Sequence, residues 1–593
     1  MGLSPIPNIT SRRGVVIAAA VVTVVVWIAM AARFGDITTG LGDTDDATRL
    51  TLVHDMLAGH GWYDQRIGRF WPPTGVFLHW SRLIDGPLAA LMWLLARVVS
   101  PPTAELFVRY AWPQLWVFPA VAAALFIARD LGARGAVFLA ALVLMTLPQA
   151  FVQFLPGRVD HHNIQIAMAL IAFAAAVAPG NAVRNAAIAG VATGFGLAIG
   201  LEALFYHALI GAGFALRLAS GDDRARPTAA YGASLGIASL GLFALQTPPA
   251  RWSLTFCDAL AVNLALALAV AGVGLAIAGI VAARWGRIAS WVALALAGIA
   301  AAGVYLGLDP NCLHGPFAEM DPRVRPFWFD HINEMQPWWI SYKNEATGAM
   351  QSLFMIIMAI AGWLMLFVRP EARRQPGPWL AGPVVLMACA VGFQAHRMLD
   401  YAFWFGAVTF AAGVSVASER WLRGRMLPSA IAAIMLSPSV LALGHAEAMT
   451  VIKPKTAAEK SSAARDSVGD GCFDTRAYAP LRRLPTGVIL ADIDYGPYVT
   501  ALTDHGVVQA PYHRMTTPIL AAHVALQAPP AKAETLIRAL RATYLLDCRR
   551  HLTQEDAGSL MDALRHGAAP TWLTQVSAPK ATLTVWRILP PSR

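Results

Sequence analysis

The sequence predicts a polytopic α-helical membrane protein carrying a C-terminal soluble α/β domain. Apolar runs of the roughly 17–25 residues needed to cross a ~30 Å hydrocarbon core recur from residue 14 to residue 445 and then stop. Only 14% of the 593 residues are charged and 56% are hydrophobic, with a mean hydropathy of +0.51, whereas soluble domains carry about a quarter charged residues. Beyond residue 470 the pattern changes to short β-like runs alternating with helix-like ones. The first two observations exclude a soluble enzyme. A net charge of +10 points to nucleic acid in a soluble chain, but a membrane protein keeps its excess arginine in cytoplasmic loops, so no nucleic-acid partner is expected.

The first span, 14–33, follows Arg12 and Arg13 and lacks a small-residue cleavage site, which predicts a retained anchor with a cytoplasmic N-terminus. Further spans are expected near 109–128, 134–152, 162–178, 183–199, 201–217, 229–246, 258–282, 287–307, 348–368, 379–395, 400–417 and 427–445, about thirteen in all. The apolar stretch 87–99 is too short to span and is expected at the interface. Basic residues should then fill alternate loops. Arg129 and Arg134, Arg184, Arg217 with Arg224 and Arg226, Arg284 and Arg287, Arg369 with Arg373 and Arg374, and Arg420 with Arg423 and Arg425 all do. Loops 34–108 and 308–347, the short loop 153–161 and the tail from 446 therefore face outward, which in the inner (plasma) membrane of a bacterium means the periplasm.

This divides the chain into a membrane domain, 1–445, a linker, 446–470, around the sequence KPKTAAEKSSAARD, and an outer α/β domain, 471–593. Within that domain, strands are expected at 487–493, 506–510, 543–546 and 582–588, and helices at 518–526, 533–541 and 556–565. The five cysteines form no CxxC pair. Cys472 and Cys548 both fall in the oxidising compartment, where either a bridge or two buried thiols is consistent with the sequence.

Four polar clusters fall on the predicted outer face. Gly42-Asp43-Thr44-Asp45-Asp46 crowds three carboxylates ahead of Arg49; they either complement a helix N-terminus or hold a hard divalent ion, Mg2+ or Mn2+. Asp160-His161-His162 stands between two apolar runs, as a helix cap or as a carboxylate–imidazole metal site through Asp160 and His162. The loop 308–347 contains Asp330-His331-Ile332-Asn333-Glu334-Met335-Gln336-Pro337-Trp338-Trp339, whose tryptophans suit an interfacial belt. Arg397, beside His396, Asp400 and Tyr401 at a span end, either snorkels and pairs with Asp400 or offers its planar donors to a phosphate.

Together these motifs resemble the catalytic subunit of oligosaccharyltransferases, within the GT-C class of polyprenyl-phosphate-dependent glycosyltransferases, of the single-subunit archaeal and bacterial type. Asp43 and Arg49 are placed like the first motif of that family, and Trp71-Pro72-Pro73-Thr74-Gly75 like its aromatic-Pro-x-Gly stretch; Asp160-His161-His162 is similar to the DHH form of its second motif. His331 to Pro337 resembles the fifth-loop glutamate motif, and Arg397 the donor-contacting arginine. Asp492-Ile493-Asp494-Tyr495-Gly496 keeps the Asp-Tyr-Gly core of the family's WWDYG motif but lacks both tryptophans, which counts against asparagine-linked protein glycosylation.

The resemblance implies an inverting transfer of a sugar or oligosaccharide from a polyprenyl-linked donor to a glycan, glycolipid or protein acceptor. Asp43, Asp160 and His162 are expected to hold a divalent metal, with Asp43 and Glu334 as the catalytic carboxylates and Asp45 as the alternative first-loop ligand; Arg49 and His161 are additional candidate site residues. Arg397 is expected to bind the donor phosphate, Glu334 to orient or activate the acceptor, and Asp494 and Tyr495 to contact it. Asp-Tyr-Gly also reads as an ordinary turn with Gly at positive φ. A single-sugar transferase acting on a glycolipid or polysaccharide is the runner-up, and a lipid-linked glycan transporter is disfavoured because the polar clusters lie at one membrane face.

Overall fold

The computed structural model describes residues 7–179, 182–220, 225–452, 471–548 and 556–591. Helix α1 (Arg12–Ala31) leads into the first long loop. This loop folds as α2 (Asp36–Thr39), α3 (Thr44–Leu57), an antiparallel ribbon of β1 (Arg66–Ile67) and β2 (Val76–Phe77), and α4 (Arg82–Leu95). The apolar body continues with α5 (Pro101–Leu131), α6 (Ala136–Met145), α7 (His162–Val177), α8 (Ala182–Ile199), α9 (Leu204–Ala219) and α10 (Ala225–Gln246). It is completed by α11 (Val262–Leu308), α12 (Trp338–Asn344), α13 (Ala346–Leu366), α14 (Pro376–Gln394), α15 (Leu399–Trp421), α16 (Met426–Met435) and α17 (Pro438–Ile452).

Among the described residues, eight helices are long and apolar enough to cross a membrane, or ten if α16 with α17, and α6 with the 3-10 turn Pro148–Phe154, each count as one bent span. Helices α7 and α9 are shorter and apolar. The expected span 287–307 and all but the first four residues of 258–282 lie within α11, whose backbone leaves helical geometry at Gly286 (φ 82°). Stretch 87–99 falls largely in α4, a 14-residue helix too short to span. The span His396–Trp421 is the central one, with 94% of its apolar window covered by neighbouring helices.

The loops sort to two ends of the helical body. At one end arginines reach across to neighbouring helix ends: Arg369 Nη1 donates to Gly132 O, Arg217 Nη1 to Ala176 O and Arg287 Nε to Ala219 O, each at 2.9 Å. The acidic clusters gather at the other end.

The C-terminal domain is a five-stranded mixed sheet ordered β4-β3-β5-β7-β6, from β3 (Val488–Ala491), β4 (Gly506–Val507), β5 (Tyr544–Cys548), β6 (Leu573–Gln575) and β7 (Leu583–Ile588). The β3 pairings to β4 and β5 are parallel, while β7 is antiparallel to β5 and β6. Every residue of β5 is buried, as a central strand requires. Strand β6 and the helix Tyr495–Leu502 were not anticipated from sequence. Helix α17 runs to Ile452, so residues 446–452 of the expected linker are helical, and 453–470 lie outside the described residues.

The sheet docks on the first long loop. Trp71 N donates to Val507 O and Val507 N to Arg69 O, both at 2.8 Å, so Phe70 pairs with Val507 as an extra bridge covering the β4 edge. Arg69 Nη1 reaches the carbonyls of Thr500 (2.6 Å) and Thr503 (2.8 Å). Tyr512 donates its hydroxyl to Thr48 Oγ1 at 2.7 Å. Two disulfides staple this end: Cys472–Cys548, and Cys257–Cys312, a pair the sequence reading did not foresee.

Candidate active site

Asp43 caps α3. Its Oδ1 accepts from Asp45 N (2.9 Å) and Asp46 N (3.0 Å), and Asp46 Oδ2 accepts from Asp43 N (3.2 Å), a closed capping box. Gly42 is required here: its φ is +90°, and a Cβ would stand 2.2 Å from Asp46 Oδ2. The second oxygen of Asp43 pairs with Arg158, which also lies 2.9 Å from Asp46. Both oxygens of Asp43 thus have local partners, while Asp45 faces inward.

The Asp160-His161-His162 turn packs directly against this cap. Asp160 N donates to Asp46 Oδ1 at 2.9 Å. Asp160 Oδ1 accepts from Arg49 Nη2 at 3.0 Å and lies 2.6 Å from His161 Nδ1. Its Oδ2 is buried without a hydrogen-bond partner, 3.1 Å from His162 Nε2. His162 Nδ1 is 2.9 Å from Glu202 Oε2.

Arg397 closes the arrangement. It lies 2.7 Å from Glu202, 3.0 Å from Glu334 and 3.4 Å from Asp45, and contacts His162 Nε2. Glu334 reaches it because His396 N donates to Gln336 O at 3.0 Å, pinning the long loop to the start of α15. Burial pushes the Asp45 carboxyl up to about 7, with Asp160 adding to the rise and Arg397 opposing it. Burial acts the same way on Asp160, but the flanking His161 and His162 outweigh it and hold that carboxyl well below the usual range.

A cavity of about 1050 Å³ opens over these groups. Asp43, Asp45, His161, Glu202, Glu334 and Arg397 line its floor, and Asp492, Asp494 and Gln509 line its wall from the C-terminal domain. Asp160 and His162 are buried behind that floor. Arg49 is wholly buried between Asp85 (2.6 Å) and Asp160. Tyr495 is 1% exposed and packs against Phe473 instead of lining the cavity. The turn reading of Asp-Tyr-Gly gives way to a helix start, and Gly496 is needed for a close approach, since a Cβ there would meet Gln509 O at 2.2 Å.

Arg158 and Asp85 were missed as site residues, and Glu202 was noted only for its place at a span end. Glu202, an ionisable residue between two apolar runs, carried the signal. The ligand atoms of Asp160, His161 and His162 lie within 4.8 Å of one another. With the unpartnered Asp160 oxygen, this donor set fits a divalent metal.

No protein-family model matches the sequence, and no curated protein does. Solved structures do. The apo oligosaccharyltransferase of Archaeoglobus fulgidus superposes with a TM-score of 0.65 at 14% identity, over 91% of this chain and 69% of that one. The chain shares its fold with oligosaccharyltransferases. The A. fulgidus enzyme AglB, in complex with an inhibitory peptide and a dolichol-phosphate, matches with a TM-score of 0.64 at 15% identity over the same shares. The form tethered to an acceptor peptide containing the NVT sequon gives 0.61 at 14%, again over 91% and 69%. The shared fold, covering 91% of this chain, thus extends over both the helical body and the C-terminal sheet, the two parts that enclose the cavity.

Proposed function

We propose that the protein is a membrane glycosyltransferase of GT-C type that transfers a sugar or oligosaccharide, with inversion, from a polyprenyl-linked phosphate or diphosphate donor to an acceptor on the outer face. The observation that carries this reading is the convergence of Asp45, Asp160, His162, Glu202, Glu334 and Arg397, drawn from five separate segments, beneath one cavity that the outer domain helps to close.

Asp160, His162 and Asp45 would hold a Mg2+ or Mn2+ ion, with Asp43 fixing the helix end that presents Asp45. Such an ion supplies stabilisation of negative charge on the leaving phosphate. Arg397 turns its donors from Glu334 and Asp45 to the phosphate oxygens, and Glu334, released, accepts a hydrogen bond from the acceptor nucleophile. Asp494 holds the acceptor from above, with Tyr495 fixing the helix behind it. Arg49 keeps Asp160 in place, and His161 supports it from the side.

Single-sugar transfer to a glycolipid or polysaccharide is the second reading, and the cavity wall favours its acceptor class over a protein sequon. At the WWDYG position the wall offers Asp492, Ile493 and Asp494, with no tryptophan to pack against a peptide side chain. We further propose thirteen spans with a cytoplasmic N-terminus and the outer domain in the periplasm of a bacterial inner membrane. Release of polyprenyl phosphate from a lipid-linked sugar by the purified protein, dependent on metal and acceptor, tests the activity; intact donor merely moved across proteoliposomes would mark a transporter instead.

A further inference from the structure

A second cluster of ligating groups sits on the same cavity, apart from the residues assigned above. Asp258 Oδ2 lies 2.7 Å from His513 Nε2 and 3.7 Å from His79 Nδ1, and the ligand atoms of all three lie within 4.8 Å of one another. His79 Nδ1 is buried and has no hydrogen-bond partner. All three residues line the cavity. They come from three parts of the chain: His79 from the first long loop after β2, Asp258 from the segment before α11, next to the Cys257–Cys312 bridge, and His513 from the outer domain.

We propose that His79, Asp258 and His513 form a second metal site, for Zn2+ or a similar transition-metal ion, that tethers the outer domain to the membrane domain. Two imidazole nitrogens and one carboxylate oxygen are a donor set of the zinc class, and the cavity leaves the fourth position to water. Mg2+ is disfavoured, because it prefers all-oxygen octahedral shells. In the structure the His513–Asp258 contact is a hydrogen bond; metal entry replaces that proton and draws in the idle His79 nitrogen. Arg514 holds the carboxylate in position, donating from Nε to Oδ2 at 2.8 Å and from Nη2 to Oδ1 at 2.5 Å, while its Nη1 donates to Phe77 O at 3.2 Å. Such outer contacts orient a ligating carboxylate. The competing account is a metal-free latch, in which Arg514 and His513 alone satisfy Asp258.

The two accounts part at His79, which carries no short ion pair and whose replacement leaves the latch intact. Co2+ is titrated into detergent-purified full-length protein, and bound metal is read by equilibrium dialysis and by visible absorption. The site predicts that His79→Ala binds one Co2+ fewer per chain than the wild type, that Asp160→Ala retains that Co2+, and that Zn2+ but not Mg2+ displaces it. It also predicts that Zn2+ raises the Tm of the wild type more than that of His79→Ala. Wild-type protein that binds no Co2+ beyond what Asp160→Ala loses, or equal binding by wild type and His79→Ala, overturns the site and leaves the latch.

Discussion

Arg49, in the middle of α3, donates through Nη2 to Asp160 Oδ1 across 3.0 Å, and through Nη1 to Asp85 Oδ1 across 2.6 Å, with its side chain fully buried. One guanidinium therefore joins the first long loop to the Asp160-His161-His162 turn, and it lies over the Trp80 ring, with its central carbon 4.4 Å from the ring centroid. A planar fork bridges two carboxylates in this way; a lysine ammonium does not.

Arg49→Ala leaves Asp85 and Asp160 buried with one cation fewer and is expected to destabilise the protein by about 3–5 kcal/mol. Arg49→Lys is expected to recover only part of that loss. Thermal unfolding in detergent measures both, and a Tm for Arg49→Ala equal to that of the wild type would show that the bridge contributes nothing.

Glu334 behaves differently because its side chain is 46% exposed. An exposed partner contributes at most about 1 kcal/mol to stability, so Glu334→Gln is expected to fold normally while slowing transfer by roughly a hundredfold or more, the range of a lost acid–base group. Turnover of a lipid-linked donor and a parallel melting curve separate the two effects.

Peptide mapping under non-reducing conditions is expected to recover Cys257 linked to Cys312 and Cys472 linked to Cys548, with Cys389 alone as a thiol. Reduction of the Cys472–Cys548 bridge, which closes a 76-residue separation, is expected to lower the stability of the outer domain by about 2–5 kcal/mol on the chain-entropy model. Because all four bonded cysteines belong to the end of the molecule that holds the acidic clusters, recovery of free thiols there would contradict the outward placement of the site.

The hydroxyl of Tyr512 ties the outer domain to α3 through Thr48 and the Thr44 carbonyl. Tyr512→Phe is expected to cost about 1 kcal/mol and to speed hydrogen exchange in the helix Tyr495–Leu502, with little change elsewhere. Uniformly altered exchange would point to a global effect.

The helical body was legible because hydropathy over a membrane-spanning window is a strong, local signal; the breaks were not, since 134–152 and 427–445 each fall on two segments bent by 71° and 54°. The site was legible where a motif is contiguous, as at Asp160-His161-His162. It was not legible where a partner comes from far along the chain: Arg158 beside Asp43, Glu202 beside Arg397 and Asp258 beside His513 have no sequence spacing that marks them. Short strands fared likewise. Three-residue β6 gains its structure from pairing with β7, not from its own pattern. The helix Tyr495–Leu502 begins at a sequence that also favours a turn, and its packing against α3 and the Gln509 backbone decides between them.

Asp160 and His162 form the heart of the proposed metal-dependent transfer site. Purified wild-type protein is expected to release polyprenyl phosphate or diphosphate from a lipid-linked sugar in the presence of Mn2+ or Mg2+ and an acceptor, to lose that activity with a chelator and regain it with metal. Asp160→Ala, folded by its melting curve, is expected to release none. Undiminished release by folded Asp160→Ala, or by the wild type stripped of metal, would contradict the account.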